Sequence, residues 1–423
     1  MMSYDLKGGE EEEDDDYVSC KSGRIYLDNN ATTPMYKPAL RAMMDAYKLH
    51  WGNPSGQYYE GHVAKSLLDK SRELFAKHLG HVPPETVYFT AGCTESNNIV
   101  VRSVLSSSAS QGRNVIITSS IEHPSIKRTA EQCGFQHIQI PVDRKGYVRM
   151  DMFRDILISH RRSVGLVSII MANNEIGTIQ PISAISRMCR EILGPNIPIH
   201  TDATQALGKY YIHPEKLGVD ILTGSAHKFH GPKGVGIIYA KEGVLKPIKT
   251  TMTGGGQERG CRSGTENVPA IYAAAVAFAH MLKDTRAFER RVTRIRTLRD
   301  TLVASLVRKI PGLVLNGDPA KGLYTTLSLS FPQGHGHAIC EYADRMGLSI
   351  NSGSACSKGK PSETLTAVLG TSDAATKIAH GTIRISLSAA TTISDCEQAA
   401  EILYKSFMAT NEAVMRKLAQ IKR

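Results

Sequence analysis

Apolar residues recur every third or fourth position over residues 38–49, 61–79 and 179–192, the spacing of helices that bury one face. Between these stretches stand short apolar runs bounded by Gly, Asn, Asp or Ser, at 86–90, 114–118, 164–171, 197–201, 220–223 and 235–239, which predict strands. A further short strand is expected at 24–27. Strands separated by helices predict an α/β fold, with a mixed, mostly parallel sheet covered on both faces. Further on, a long helical stretch at 267–308 leads to strands at 324–331 and 382–387, a helix at 338–345 and a last helix from 394. That change of pattern predicts a second, smaller α+β domain. The expected organisation is an acidic disordered tail over 1–22, a large domain over 35–267, and a small domain built from 23–34 with 268–423.

The chain has 423 residues, 41% of them hydrophobic and 22% charged, ample for a buried core in each domain. No apolar run approaches the roughly 20 residues that span a bilayer. The N-terminus carries neither a signal-peptide core nor an arginine-rich transit pattern, so the cytoplasm is the expected compartment and no membrane contact is expected. Net charge is +11, but the first 20 residues hold eight acidic residues against one lysine, a net of −7, which leaves +18 for the remainder. A basic body without aromatic-interleaved basic patches argues against direct nucleic-acid binding and for anionic small molecules and acidic protein partners. Cysteines stand at 20, 93, 133, 189, 261, 340, 356 and 396, with no CxxC pair and no His/Cys cluster at zinc spacing, so neither a disulfide scaffold nor a metal is expected. The HGH at 335–337 reads as a loop entering the helix at 338–345.

The richest chemistry lies in GVDILTGSAHKFHGPKGVGII (218–238), which sets Lys228 between an apolar run and a glycine-rich turn. A lysine at a strand end, partly desolvated, has a depressed pKa and can act as a neutral, Schiff-base-forming nucleophile. In IPIHTDATQALG (197–208), Asp202 ends another strand-like run 26 residues earlier. Parallel α/β sheets bind ligands at the carboxyl ends of their strands, so the amine and the carboxylate can share one site. Pyridoxal phosphate requires that pair: an amine for its aldehyde and an anion that keeps its pyridine nitrogen protonated.

Ordered blocks extend the pattern: YLDNNATTP (26–34), HWGNPSG (50–56), TAGCTESNN (90–98), EHPSI (122–126), ANNEIG (172–177), GGGQERGCRSGTEN (254–267) and SGSACS (352–357). Together they resemble the cysteine desulfurases of the NifS and IscS type, with selenocysteine lyase as close kin. These belong to the class V branch of the fold type I pyridoxal phosphate enzymes. The resemblance implies a large domain with a seven-stranded, mostly parallel sheet and a smaller α+β domain.

It also implies conversion of L-cysteine to L-alanine with sulfane sulfur held as a persulfide on Cys356, for acceptor proteins of iron–sulfur or tRNA thiolation pathways. L-selenocysteine is the alternative substrate. Lys228 would hold the cofactor and move the α-proton, Asp202 would sustain the electron sink, and His123 would stack on the ring and assist proton transfer. The N–H groups of Cys93 and the hydroxyl of Thr94, at a helix start, would cradle the phosphate, joined by Ser225 and His227. Asn174 and Gln205 are implied near the ring oxygen, Gln205 about one helical turn beyond Asp202. Arg384, flanked in an alternating strand by Ile383 and Ile385, would face the opposite way and grip the substrate carboxylate. Asn30 and Asn53 are implied near the substrate. Thr265 would reach the phosphate of a neighbouring subunit, making the enzyme a homodimer. Cys356 lies in NSGSACSKGKPSE, where Lys358 and Lys360 would favour its thiolate. The segment after it, SKGKPSETLTAVLG, departs from the TSASLEPSYVL type of loop.

Overall fold

The computed structural model describes residues 16–18, 23–245, 252–352 and 362–421. Strand β1 (Ile25–Tyr26) leads to helices α1 (Lys37–Leu49) and α2 (Tyr59–His78), then β2 (Val87–Thr90) and α3 (Cys93–Ala109). Alternation follows: β3 (Val115–Ser119), α4 (Pro124–Gln132), β4 (Gln136–Ile140), α5 (Met150–Ser159), β5 (Val164–Ser168), α6 (Ile182–Leu193), β6 (Ile199–Asp202), one-turn α7 (Pro214–Leu217), β7 (Ile221–Ser225) and β8 (Gly236–Ala240). The seven strands from β2 to β8 form one sheet in the order β2-β8-β7-β6-β5-β3-β4. Every pairing is parallel except those of β8, which runs antiparallel to both neighbours.

Alternate residues of each central strand serve opposite faces, the two-residue period of the pleat. In β3, Val115 and Ile117 enter one core and Ile116 the other; in β8, Ile237 and Tyr239 oppose Ile238 and Ala240 in the same way. Both faces are covered, so the central strands read as continuous apolar runs. The edge strand β4, QHIQI, is partly exposed and carries polar residues, which is why no apolar run announced it. The run at 164–171 is shorter as a strand than as a pattern: β5 ends at Ser168, and Ile169 to Met171 stay buried as loop.

The remaining elements are α8 (Val268–Leu282), α9 (Thr285–Lys309), β9 (Val314–Leu315), β10 (Thr326–Ser330), α10 (Gly336–Arg345), β11 (Leu348–Ser349), α11 (Glu363–Leu369), α12 (Asp373–His380), β12 (Thr382–Ser386) and α13 (Ile393–Ile421). The helical stretch at 267–308 is two helices. Asp284 breaks it by accepting the N–H of Ala287 at 2.8 Å, a side-chain cap that starts α9 afresh. Helix α8 is apolar all round and packs in the large core, with Ala273, Ala274, Ala277 and Phe278 fully enclosed. Of the 268–423 expected in the small domain, α8 packs with the large core, and the second core draws on α9 onward. That core joins Ile25 and Leu27 to α9, α10 and α13 around the antiparallel sheet β12-β10-β9.

Within the stretch 1–22, expected as an acidic tail, residues 16–18 are described. Tyr17 is buried, bridges to Tyr36 and packs its ring 4.4 Å from that of His230. Residues 1–15 and 19–22 lie outside the described residues. His335 of the HGH caps α10 by accepting the N–H of Ala338. Among the described residues no helix is long and apolar enough to cross a membrane.

Candidate active site

The carboxyl ends of β3, β5, β6 and β7 open onto one edge of the large sheet, as parallel pairing requires. Above them lies a cavity of about 930 Å³. Asp202, the last residue of β6, and Lys228, on the tight turn Ala226–Lys228 after β7, both line it. His123, Asn174, Gln205, Ser225 and His227 line it too, together with Cys93 and Thr94 from the start of α3 and Asn30 and Arg384 from the second unit. The fourteen proposed site positions are spread over more than 350 residues of chain; topology gathers eleven of them here, Asn53 and Thr265 stand elsewhere, and Cys356 lies outside the described residues.

Lys228 Nζ donates to the carbonyls of Asn30 and Ala31, each at 2.7 Å. Burial, and then the nearby Arg384 guanidinium, push its pKa down to about 8, so the free amine is accessible near neutrality. The Asp202 carboxylate is held by three donors: Asn97 Nδ2 at 2.9 Å on one oxygen, and the Thr204 N–H at 3.0 Å with the Cys93 thiol at 3.7 Å on the other. Burial, reinforced by Asp202, raises the Cys93 pKa, keeping the thiol protonated. Residues 203–206 form turns, so Gln205 enters the cavity from a turn and not from the helix expected after Asp202. Its amide is oriented by buried Lys209, whose Nζ donates to Gln205 Oε1 at 3.0 Å, while Gln205 Nε2 donates to the Asn30 carbonyl at 2.9 Å.

His123 caps α4: its Nδ1 accepts the N–H of Ser125 at 3.2 Å, and burial lowers its pKa. Burial also brings His227 down to about 4. At the start of α3 the first N–H groups have no carbonyl within the helix to bond and face the cavity. The strand β8 passes beneath this turn only because residue 236 is glycine, since a Cβ there would lie 2.5 Å from the carbonyl carbon of Gly92.

Arg384 behaves as its strand pattern required. Ile383 and Ile385 enter the small core while its guanidinium faces the cavity. The anion beside it is Asp28, at 2.6 Å from Nη2; Nη1 donates to the Asn174 carbonyl at 3.1 Å, and buried Nε has no partner among the described residues. Asp28 lies inside the quoted block at 26–34, yet nothing in the sequence reading gave it a role. Asn97, Ser125, Thr204 and Lys209 were missed likewise; the first three sit inside quoted segments, and only their neighbours across the fold explain them.

Asn53 and Thr265 do not join the cavity. Asn53 is exposed and its Oδ1 accepts the N–H of Ser55 at 3.0 Å; Thr265 is exposed on a loop bolted to its own chain by the buried pair Arg72–Glu258 and by Arg262–Glu95.

An amine and a carboxylate at neighbouring strand ends, under an anion-binding helix start, make this an α/β enzyme suited to a phosphorylated carbonyl cofactor. The sequence profile of the aminotransferase class-V family matches residues 25–398. The cysteine desulfurase IscS of Dictyoglomus turgidum is 36% identical over 384 residues, covering 90% of this chain and 93% of that protein. Among solved structures, a NifS-like protein superposes with a TM-score of 0.81 at 35% identity, covering 90% of this chain and 98% of its own. SspA, solved in complex with cysteine, gives 0.72 at 30% identity over 87% and 99%. The chain belongs to the class-V aminotransferase family, in its cysteine desulfurase group, a family that depends on pyridoxal phosphate.

Proposed function

We propose that this chain binds pyridoxal phosphate through Lys228 and desulfurates L-cysteine, releasing L-alanine and leaving sulfane sulfur on Cys356. The observation that carries the reading is the shared cavity, in which Lys228 and Asp202 line one wall and Arg384 stands over them. The donor set fits the cofactor: an amine of lowered pKa, a carboxylate aimed into the cavity, and free N–H groups with the Thr94 hydroxyl at the start of α3 for a phosphate. When bound, pyridoxal phosphate supplies an electron sink for the bond broken at the substrate's α carbon.

Each residue then has a defined task. Asp202 would hold a proton on the cofactor's pyridine nitrogen, and the Gln205 Nε2–H, turned by Lys209, would be the donor for its ring oxygen. Lys228 Nζ would take and return the substrate's α-proton, and His123, with its hydrogen on Nε2, would serve as the second acid. Arg384 binds the substrate carboxylate, with Nε as the free donor. Cys356 accepts the sulfur and passes it to an acceptor protein, and the complex of the related SspA with cysteine supports the choice of substrate.

The working unit is a homodimer in which Thr265 serves the neighbouring subunit. In support, Thr265 and Asn53 are exposed outside their own cavity. Tyr47, Trp51, Tyr58 and Tyr59 are large exposed aromatics, and the Tyr47 hydroxyl lies 3.5 Å from Asn267, two residues beyond Thr265.

The test is alanine release from cysteine and from selenocysteine by wild type and Cys356→Ser, with the cofactor band near about 420 nm as the loading control. Loss of cysteine turnover in the loaded variant is expected. Turnover of selenocysteine alone, surviving the substitution, would make the enzyme a selenocysteine lyase.

A further inference from the structure

In the cavity wall a single amide bonds Asp202 directly and reaches His123 through Ser125. Asn97, on α3, is fully buried. Its Nδ2 lies 2.9 Å from Asp202 Oδ2 and 2.9 Å from Ser125 Oγ, and its Oδ1 lies 2.6 Å from Thr223 Oγ1. An ionised carboxylate only accepts, so the nitrogen must face Asp202, and the direction of every other hydrogen follows. One Asn97 hydrogen goes to Asp202 and the second to Ser125 Oγ. The Ser125 backbone N–H can only donate to His123 Nδ1, at 3.2 Å, so that nitrogen bears no hydrogen and the Ser125 hydroxyl gives its hydrogen to it as well, at 2.7 Å. His123 Nδ1 is therefore an acceptor, and the neutral ring carries its hydrogen on Nε2. On the other side Thr223 donates to Asn97 Oδ1 and receives His200 Nε2–H at 2.9 Å, leaving His200 Nδ1 to accept from Ser168 at 2.8 Å.

We propose that Asn97 is a positioning residue that joins Asp202 and His123, through Ser125, into one proton-coupled unit. It keeps the carboxylate aimed into the cavity and His123 as a neutral Nε2–H acid. The inference rests on the pyridoxal phosphate reading, in which those two groups bracket the cofactor ring. The charged groups facing His123 are Asp202 from β6 and Lys228 from the turn after β7. Glu122, next in sequence, turns one oxygen to Ser119 and to the Ile170 N–H, at 2.8 Å from the latter. Substitution at 125 touches none of these, so a change in the titration of His123 in Ser125→Ala reports the link, whereas substitution at 97 also removes a donor from Asp202.

The experiment compares cofactor-loaded wild type, Ser125→Ala, Asn97→Ala and the double variant. Loading is read from the cofactor's absorbance; a wild type that takes up no cofactor defeats the functional reading, whatever the variants do. In loaded enzymes, loss of the donors on Nδ1 makes His123 easier to protonate. The acid limb of kcat/KM for cysteine then moves up by roughly half to one pH unit in Ser125→Ala. Asn97→Ala shifts the limb similarly and also moves the pH at which the bound cofactor's absorbance changes, because Asp202 loses a donor. The double variant adds nothing further to the limb, the non-additivity of one linked path. A merely structural Asn97 lowers thermal stability and leaves the limb in place. Limb shifts that add independently, or no shift in Ser125→Ala, overturn the proposal. Should Asn97→Ala fail to fold, ring-nitrogen NMR of the wild-type holoenzyme decides: an Nδ1–H tautomer at His123 refutes the linkage.

Discussion

Replacing Asp28 with Asn tests whether Arg384 is held in reserve by an internal anion. The pair is close, 2.6 Å, with side-chain exposures of 15% for Asp28 and 8% for Arg384, so both charges are largely out of water. Asp28→Asn keeps a hydrogen-bond acceptor but removes the charge, leaving Arg384 with the Asn174 carbonyl and an unpartnered Nε. Breaking a buried pair from one side costs about 3–5 kcal/mol, and the retained acceptor places this variant near the lower figure. With about 2.1 cal/mol/K per residue for unfolding, 3 kcal/mol over a chain of this length lowers Tm by roughly 3 °C. Substrate carboxylate would then meet a guanidinium with no competitor. Holoenzyme melting is followed with and without L-alanine, alongside KM for cysteine. The expected result is a lower Tm, a larger stabilisation by L-alanine than in wild type, and a KM reduced roughly three- to tenfold, a change of up to about 1.4 kcal/mol. An unchanged Tm, or a raised KM, refutes the reasoning and makes Asp28 a holder of the binding orientation instead.

Three other outcomes are expected. Lys228 is nucleophilic only when deprotonated and its pKa is lowered to about 8, so the rate of cofactor uptake by cofactor-free enzyme rises with pH up to that value and levels off above it; stopped-flow absorbance showing a flat profile below pH 8 contradicts this. Arg72→Ala removes a bidentate partner of Glu258, whose side chain is 1% exposed, and costs about 3–5 kcal/mol of stability, read from the midpoint of urea unfolding. Gly236→Ala forces a Cβ against Thr90 and the Gly92 turn, so it distorts the start of α3 and weakens cofactor affinity at least tenfold, read by titration; unchanged affinity in the folded variant contradicts this.

Much of the fold was legible because its central strands are buried on both faces. Continuous apolar runs such as VIITS and VGLVS have no other use in a chain broken so often by helical spacing. The edge strand QHIQI escaped because half of it faces water, and the division of 267–308 escaped because one aspartate cap outweighs an unbroken helical pattern. Lys228 and Asp202 were readable as chemistry from their strand ends, and Arg384 from its alternation. Asp28, Asn97 and Lys209 were not, since each acts through a partner between 4 and 356 residues away in the chain.

Local composition alone settled which residue types stand at strand ends and helix starts, because periodicity and turn chemistry act over a few residues. Tertiary structure decided what those residues face. Buried donors and acceptors must be satisfied by whatever the topology brings near, so the anion opposite Arg384, the amide linking His123 to Asp202 and the lysine turning Gln205 emerge only when the two cores close on one cavity.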